Sequence, residues 1–249
     1  EEDPVRILRV ARFAARFAQF GFKVAHGTNK LMRKMVDNGE VDYLVPERVW
    51  AELVKALATQ TPARFFEVLG GCGALDKLFP QLAAQYTKTV AHNNNGIHLP
   101  TLAASVELSN ASGVRFAALA SDMQGGNAAL DDFCTQHRVP NNHRQLAELA
   151  LRHCATAQRM SDLSAEDIMA LLENIDAFRR GDRVNDFLLV CESRARAASP
   201  DLPDYPQADR LRAALNAAVA VKVDAGGKSG PAIGEAIRRA RVEAIKVIL

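Results

Sequence analysis

EEDPVRILRVARFAARF, residues 1–17, begins with three acidic residues and a proline, and then places four arginines in an otherwise apolar stretch. Asp3 before Pro4 indicates a helix start, because a carboxylate can accept hydrogen bonds from the free N–H groups and proline has no N–H to leave unpaired. At about 100° per residue, the arginines fall within an arc of about 120° and the apolar side chains lie opposite. The stretch predicts an amphipathic helix whose cationic face, the arginine ridge, consists of Arg6, Arg9, Arg12 and Arg16.

The arginine ridge has no acidic residues interleaved with it in the sequence. A helix N-terminus adds further partial positive charge near its first turn. Like charges without partners repel one another, and phosphates suit the planar guanidinium fork. The ordinary alternative is a solvated face, since arginine is a good helix former. We interpret the ridge as a surface for a polyanion.

The distribution of charge along the 249 residues also favours a polyanionic partner. The net charge is +2, but residues 1–34 carry eight Lys or Arg against three Asp or Glu, and residues 222–249 carry six against three. The segment between them is therefore acidic, which suggests a polyanion contacted at two places. The aromatic content of 6% argues against a single-strand binder built on base stacking.

Composition further indicates a globular protein of the cytoplasm. Hydrophobic residues make up 48% of the chain, and no apolar run reaches membrane-spanning length. The four cysteines, at positions 72, 134, 154 and 191, show no short paired spacing. They are interpreted as reduced thiols rather than as a disulfide framework or a zinc site.

Hydrophobic periodicity predicts an all-α protein, because few stretches alternate with a period of two. The run SPDLPDYP at 199–206 is the best linker candidate, since it holds three prolines. Trp50 falls on the apolar side of its segment and is expected in the core. Apolar residues recur at helical spacing in segments 5–20, 47–58, 62–70, 101–120, 144–158, 164–176, 182–198, 206–221 and 231–248.

Several segments resemble bacterial CCA-adding enzymes, the tRNA nucleotidyltransferases of the class shared with bacterial poly(A) polymerases. EDPVRILRVARFAARF at 2–17 resembles their nucleotide-selecting motif. The resemblance implies an elongated all-α architecture with a neck at 1–90, a body at 91–200 and a tail at 201–249. The other similar segments are 21–57 with its Pro46-Glu47-Arg48 box, 65–82, 204–215 and 227–245.

The resemblance also implies residue roles, with CTP, ATP and tRNA as ligands. Asp3, Arg6 and Arg9 would bind the incoming nucleotide. The residues expected to brace this motif are Glu2, Glu47 and Arg48. The residues expected to bind tRNA are Arg12, Arg16, Lys228, Arg238, Arg239 and Arg241.

In this family a preceding head domain holds Mg²⁺ on two carboxylates, and the chain begins at the selection motif. The resemblance therefore implies no catalytic residue and no metal site in the chain, which alone would be inactive. Two alternatives remain open beside CCA addition: a poly(A) polymerase, and a non-catalytic tRNA-binding protein.

The middle of the chain resembles the metal-dependent phosphohydrolase body of related enzymes. His98 keeps the place of a first histidine ligand, but the usual His-Asp pair has become Ser121-Asp122, and Gln124 replaces a lysine. A metal needs several ligands that converge. We expect a degenerate hydrolase-like body without metal, so a phosphohydrolase function is disfavoured.

Overall fold

Helices form most of the regular structure in residues 3–88, 95–222 and 231–249, which the computed structural model describes. A two-stranded antiparallel hairpin, β1 Tyr86–Lys88 and β2 Asn95–Ile97, and short 3₁₀ turns at Ala18–Phe20 and Glu40–Tyr43 complete it. The all-α class is confirmed. The helices are α1 Val5–Phe17, α2 His26–Asp37, α3 Pro46–Leu57, α4 Ala63–Cys72, α5 Ala74–Leu78, α6 Pro80–Ala83, α7 Pro100–Leu108, α8 Ser112–Ser121, α9 Gly126–His137, α10 Asn141–Gln158, α11 Ala165–Asn174, α12 Gly181–Ala198, α13 Pro206–Ala220 and α14 Pro231–Lys246.

The sequence prediction was wrong in two ways. The single helix expected over 101–120 is two helices, α7 and α8, because the chain becomes extended at Ser109. The Ser109 hydroxyl accepts a hydrogen bond from the Ala111 N–H at 3.1 Å, a local turn that competes with helix. In addition, α2, α5, α6 and α9 were not predicted. Of these, α2 buries only three side chains, all in its second half, so few apolar residues mark it in the sequence.

The first helices pack around the apolar face of α1, as its periodicity predicted. This face lies against α3 and α4. Trp50 on α3 is half-buried and meets Phe116 edge-on, with ring centroids 5.2 Å apart, so it packs against the core as expected. The buried residues of α1 are Val5, Ile7, Leu8, Ala11, Ala14 and Ala15.

Helices α7, α8, α10 and α12 form a second packed group, and α14 lies against α11 and α13. Every residue of α8 from Val114 to Ala120 is buried. None of the helices in the described residues is both long enough and apolar enough to cross a membrane.

A fully buried arginine joins these two groups of helices. Arg115 on α8 donates to the carbonyl oxygens of Leu57, the last residue of α3, at 2.6 Å and of Thr59, just past that helix, at 2.5 Å. It also donates to the Ser109 carbonyl at 2.7 Å, just past the end of α7. Helix C-termini carry partial negative charge, so carbonyl groups compensate this cation. Burial lowers the pKa of Arg115, but a guanidinium in a protein keeps its proton.

Replacing this side chain tests its role. We expect Arg115→Leu to lower the free energy of unfolding by about 3 kcal/mol or more, because each buried carbonyl that is deprived of its donor costs about 1–3 kcal/mol. Urea denaturation followed by circular dichroism measures the change. Arg179→Leu is the matched control, since Arg179 is exposed and pairs with Asp176 only three residues away. Equal stability of the two variants would contradict the role of Arg115.

Candidate functional site

A groove of about 260 Å³ lies between α1 and α2, and it holds two of the predicted site residues. Arg6 and Arg9 line it from α1, together with Val10 and Phe13. The wall on the α2 side was missed by the sequence analysis; the only signal for it was the helical spacing of its apolar members. This wall consists of Thr28, Leu31, Met32 and Met35.

The α1–α2 groove combines an apolar floor with cationic donors at one end. Flat aromatic ligands suit such a site, because apolar side chains contact their faces while a few polar groups bond to their edges. A guanidinium presents donors that match ring nitrogens and carbonyl oxygens of nucleobases. The groove is therefore chemically suited to a base.

Asp3 lies at the start of α1 and is not among the residues that line the groove. One carboxylate oxygen accepts a hydrogen bond from the Val5 N–H at 3.1 Å, so Asp3 caps the helix as the sequence predicted. The other oxygen lies 3.6 Å from Arg48 Nη1. The Arg6 N–H donates to the Asp3 carbonyl at 3.0 Å. Asp3 and Arg6 are thus held one helical turn apart, both exposed.

The expectation that the arginine ridge has no acidic partner is wrong at Arg12. Its Nε lies 2.5 Å from Glu52 Oε2 on α3, and the two side chains are only 14% and 8% exposed. Lys55 Nζ donates to the same carboxylate at 3.0 Å. Burial raises the pKa of Glu52, but the hydrogen bonds from Arg12 and Lys55 outweigh it and lower the pKa below 4.5. Sequence analysis missed this partner because it lies 40 residues away.

The predicted bracing residues sit at the start of α3. Glu47 pairs with Arg138 at the end of α9, while its neighbour Arg48 faces Asp3. The Glu47 backbone N–H at the helix N-terminus, followed by Arg138, lowers the pKa of Glu47. Glu2 lies outside the described residues. The start of α3 thus contacts both Asp3, just before α1, and the end of α9.

The predicted RNA-binding cations occupy different environments. Arg16 is exposed, with its guanidinium 5.6 Å from the Phe17 ring centroid. On α14, Arg238 pairs with Glu173 of α11 at 3.1 Å, and Arg239 pairs with Glu235. Arg241 lies 4.0 Å over the Phe178 ring, half-buried. Lys228 lies outside the described residues. Arg238 and Arg239 are therefore compensated within the chain, and the contact of the tail with RNA stays a prediction.

The hydrolase-like segment uses its remaining acid structurally. Asp122 accepts hydrogen bonds from the backbone N–H groups of Thr101 at 3.1 Å and Leu102 at 2.9 Å, at the N-terminus of α7. Burial raises the pKa of Asp122 despite these bonds. Ser121 donates to the Ala117 carbonyl at 3.0 Å, and His98 is exposed. Within the described residues, no three His, Cys, Asp or Glu side chains form a group that could hold a metal ion.

Comparisons with known proteins identify the fold. The chain resembles a CCA-adding enzyme solved with ATP, with a TM-score of 0.63 and 17% identity, over 98% of this chain and 56% of the other. It also resembles the Thermotoga maritima CCA-adding enzyme solved with tRNA, with a TM-score of 0.59 and 16% identity, over 98% and 57%. The fold is thus that of a helical portion of CCA-adding enzymes.

Sequence comparisons identify the family. The chain is 44% identical to the multifunctional CCA protein of Thioalkalivibrio sulfidiphilus and 42% identical to that of Variovorax paradoxus, over 98% and 99% of this chain. It spans 66% of the length of each relative. Residues 21–86 match the family described as the probable RNA and SrmB-binding site of polymerase A. The chain belongs to the family of bacterial CCA-adding proteins.

The largely buried ion pair of Arg12 and Glu52 generates a prediction. We expect Glu52→Gln to lower the free energy of unfolding at pH 7 by about 2 kcal/mol, because Arg12 loses a charged, largely buried partner. A carboxyl whose folded-state pKa is lowered contributes stability above its unfolded pKa, here 4.5, and loses it as the pH falls through the folded-state value. The difference between wild type and variant should therefore shrink below pH 4.5.

Urea denaturation at several pH values measures this effect. Glu67→Gln is the matched control, since Glu67 pairs with Arg64 in a more exposed, local contact. A destabilisation by Glu52→Gln that is no larger than that of the control, or that is independent of pH, would argue against the ion pair.

Proposed function

We propose that this chain is the part of a CCA-adding nucleotidyltransferase that selects CTP or ATP and holds the tRNA whose 3′ end is completed. One observation carries the proposal: Arg6 and Arg9 of the selection motif line one apolar groove, in a chain of the CCA-adding family. Neck, body and tail are proposed to span 1–90, 91–200 and 201–249, and the protein is proposed to act in the cytoplasm.

The chemistry of the bases explains how one acid and one guanidinium choose both nucleotides. Cytosine and adenine each present an exocyclic amine beside an unprotonated ring nitrogen, whereas uracil and guanine present a ring N–H there. The Asp3 carboxylate accepts from the amine, and the Arg6 guanidinium donates to the ring nitrogen. Arg48 Nη1 lies 3.6 Å from the Asp3 carboxylate, so a cation of α3 lies beside the group that accepts from the amine. Arg9 binds the nucleotide from the next turn of α1.

The described residues do not fit a catalytic Mg²⁺ site. The buried Asp122 carboxylate is engaged by two backbone N–H groups, and no group of three candidate ligands exists among the described residues. We therefore place the Mg²⁺-dependent transfer outside this part of the protein, and expect the chain alone to be inactive. Its own residues bind and orient the nucleotide and the RNA.

Nucleotide choice provides the direct test. In the complete gene product, with tRNA lacking its CCA end, we expect Arg6→Ala to reduce discrimination against UTP and GTP about tenfold or more, because a good base-edge pair supplies about 1–3 kcal/mol. Incorporation of each nucleotide measures it. Arg16→Ala is the matched control; this exposed arginine of the same helix should affect tRNA affinity and leave the choice intact.

Three outcomes would contradict the proposal. Unchanged discrimination in Arg6→Ala would remove the role of Arg6 in reading bases. Extension of any RNA with AMP alone would favour a poly(A) polymerase. Absence of any incorporation by the complete gene product would favour a non-catalytic tRNA-binding protein.

Salt dependence tests the proposed contact between α14 and RNA. Deleting the helix would expose the core, since Val242 and Ile245 are buried, so substitution is the sharper change. We expect Arg238→Gln with Arg239→Gln to weaken tRNA binding and to flatten the plot of log K against log salt by about 0.9 for each phosphate that the protein no longer neutralises. Filter binding measures both. Arg179→Gln with Arg180→Gln removes equal charge elsewhere and should keep the wild-type slope; equal slopes for all proteins would refute the proposed binding of RNA by α14.

A further inference from the structure

Four phenylalanines form an exposed cluster at the C-terminal end of α1, here called the phenylalanine platform. Phe13 and Phe17 stack with centroids 6.1 Å apart, and Phe17 lies 6.5 Å from Phe20 and 6.3 Å from Phe22. The platform residues are 40%, 37%, 75% and 45% exposed in chain order, while the other seven phenylalanines are buried or half-buried. The chain's aromatic content of 6% conceals this local concentration.

The platform lies within a strongly basic part of the molecule. Residues 4–36 contain eight Lys or Arg and no Asp or Glu. The exposed guanidinium of Arg16 lies 5.6 Å from the Phe17 centroid, while that of Arg12, which is paired with Glu52, lies 4.3 Å from the Phe13 centroid. A cationic surface with exposed aromatic rings suits single-stranded nucleic acid, whose phosphates contact the cations while its bases stack on the rings.

The platform continues the α1–α2 groove. Phe13 belongs to both, since it lines the groove beside Arg9. At 1.5 Å per helical residue, Phe13 lies about 6 Å and Phe17 about 12 Å beyond Arg9 along α1. Stacked bases rise by about 3.4 Å. The platform thus begins within about two stacked bases of Arg9. An RNA strand that receives the next nucleotide must end close to the site that holds this nucleotide.

We propose that the phenylalanine platform stacks the unpaired bases at the 3′ end of the RNA that the protein extends. This inference rests on the proposed function and adds a site to it. The positive charge of residues 4–36 favours RNA over a second copy of this chain as the ligand. In a symmetric contact, these residues would repel the same residues of the other copy.

The test compares two RNA probes and three proteins. One probe is a stem–loop with a single-stranded 3′ overhang of four nucleotides, and the other is the same stem–loop with a blunt end. The proteins are the chain itself, Phe17→Leu with Phe20→Leu, and Phe17→Tyr with Phe20→Tyr. Leucine keeps the apolar character but removes the ring, and tyrosine keeps the ring. Thermal unfolding verifies that all three proteins fold alike. Because positions 17 and 20 are both exposed, we expect the substitutions to leave the fold intact.

We expect the leucine variant to bind the overhang probe about tenfold more weakly, to bind the blunt probe unchanged, and to differ from the tyrosine variant, which keeps wild-type affinity. Equal weakening for both probes, equal weakness of both variants, or unchanged overhang binding would overturn the platform. So would a wild-type dimer that the leucine substitutions dissociate, detected by sedimentation.

The two proposals fail in different ways. If the leucine variant binds the overhang probe as tightly as the wild type, while Arg6→Ala still relaxes nucleotide choice in the complete gene product, the platform is refuted and the proposed function stands. If the rings matter while Arg6→Ala changes nothing, stacking stands as a property of the chain and the proposed nucleotide selection fails.

Discussion

The structure depends on α3, and α3 is held by guanidinium groups along its whole length. At its C-terminal end the buried Arg115 bonds to the carbonyls of Leu57 and Thr59, which fixes α3 to the second group of helices. At its centre Glu52 holds Arg12 of α1 in a largely buried pair. At its start Arg48 faces Asp3. Because α1 packs against α3, the position of α3 helps to determine where Arg6 and Arg9 of α1 lie in the groove.

The two basic regions of the chain, residues 1–34 and 222–249, differ in their electrostatic surroundings. In the tail, Arg238 and Arg239 each have a carboxylate partner, so RNA must compete with an existing ion pair. Exposed pairs of this kind contribute about 0–1 kcal/mol, so exchanging one for a phosphate is nearly neutral. The neck differs, because residues 4–36 contain no acid of their own. The neck therefore holds the larger excess of basic residues along the chain, although Arg12 is paired with Glu52 of α3.

The sequence predicted features that depend on neighbours along the chain, and it failed where contacts are long-range. Periodicity located the buried face of α1, and Asp3 before Pro4 marked its start. Periodicity could not show that Arg12 has a partner at Glu52, 40 residues away, nor that four of eleven phenylalanines gather at one surface. It joined α7 and α8 because the intervening turn depends on one hydroxyl hydrogen bond at Ser109. The family resemblance supplied the site residues; the α2 wall of the groove came only from the structure.

Asp122 shows how a carboxylate can be buried at a helix N-terminus without a metal ion. Removing a charged carboxylate from water is unfavourable, and burial indeed raises the pKa of Asp122. Its hydrogen bonds from Thr101 and Leu102 compensate this at the N-terminus of α7, where free N–H groups and the helix dipole favour negative charge. Ser121 meanwhile bonds to its own helix backbone. The same acid thus joins α7 to the end of α8, so its burial is explained by packing and hydrogen bonding.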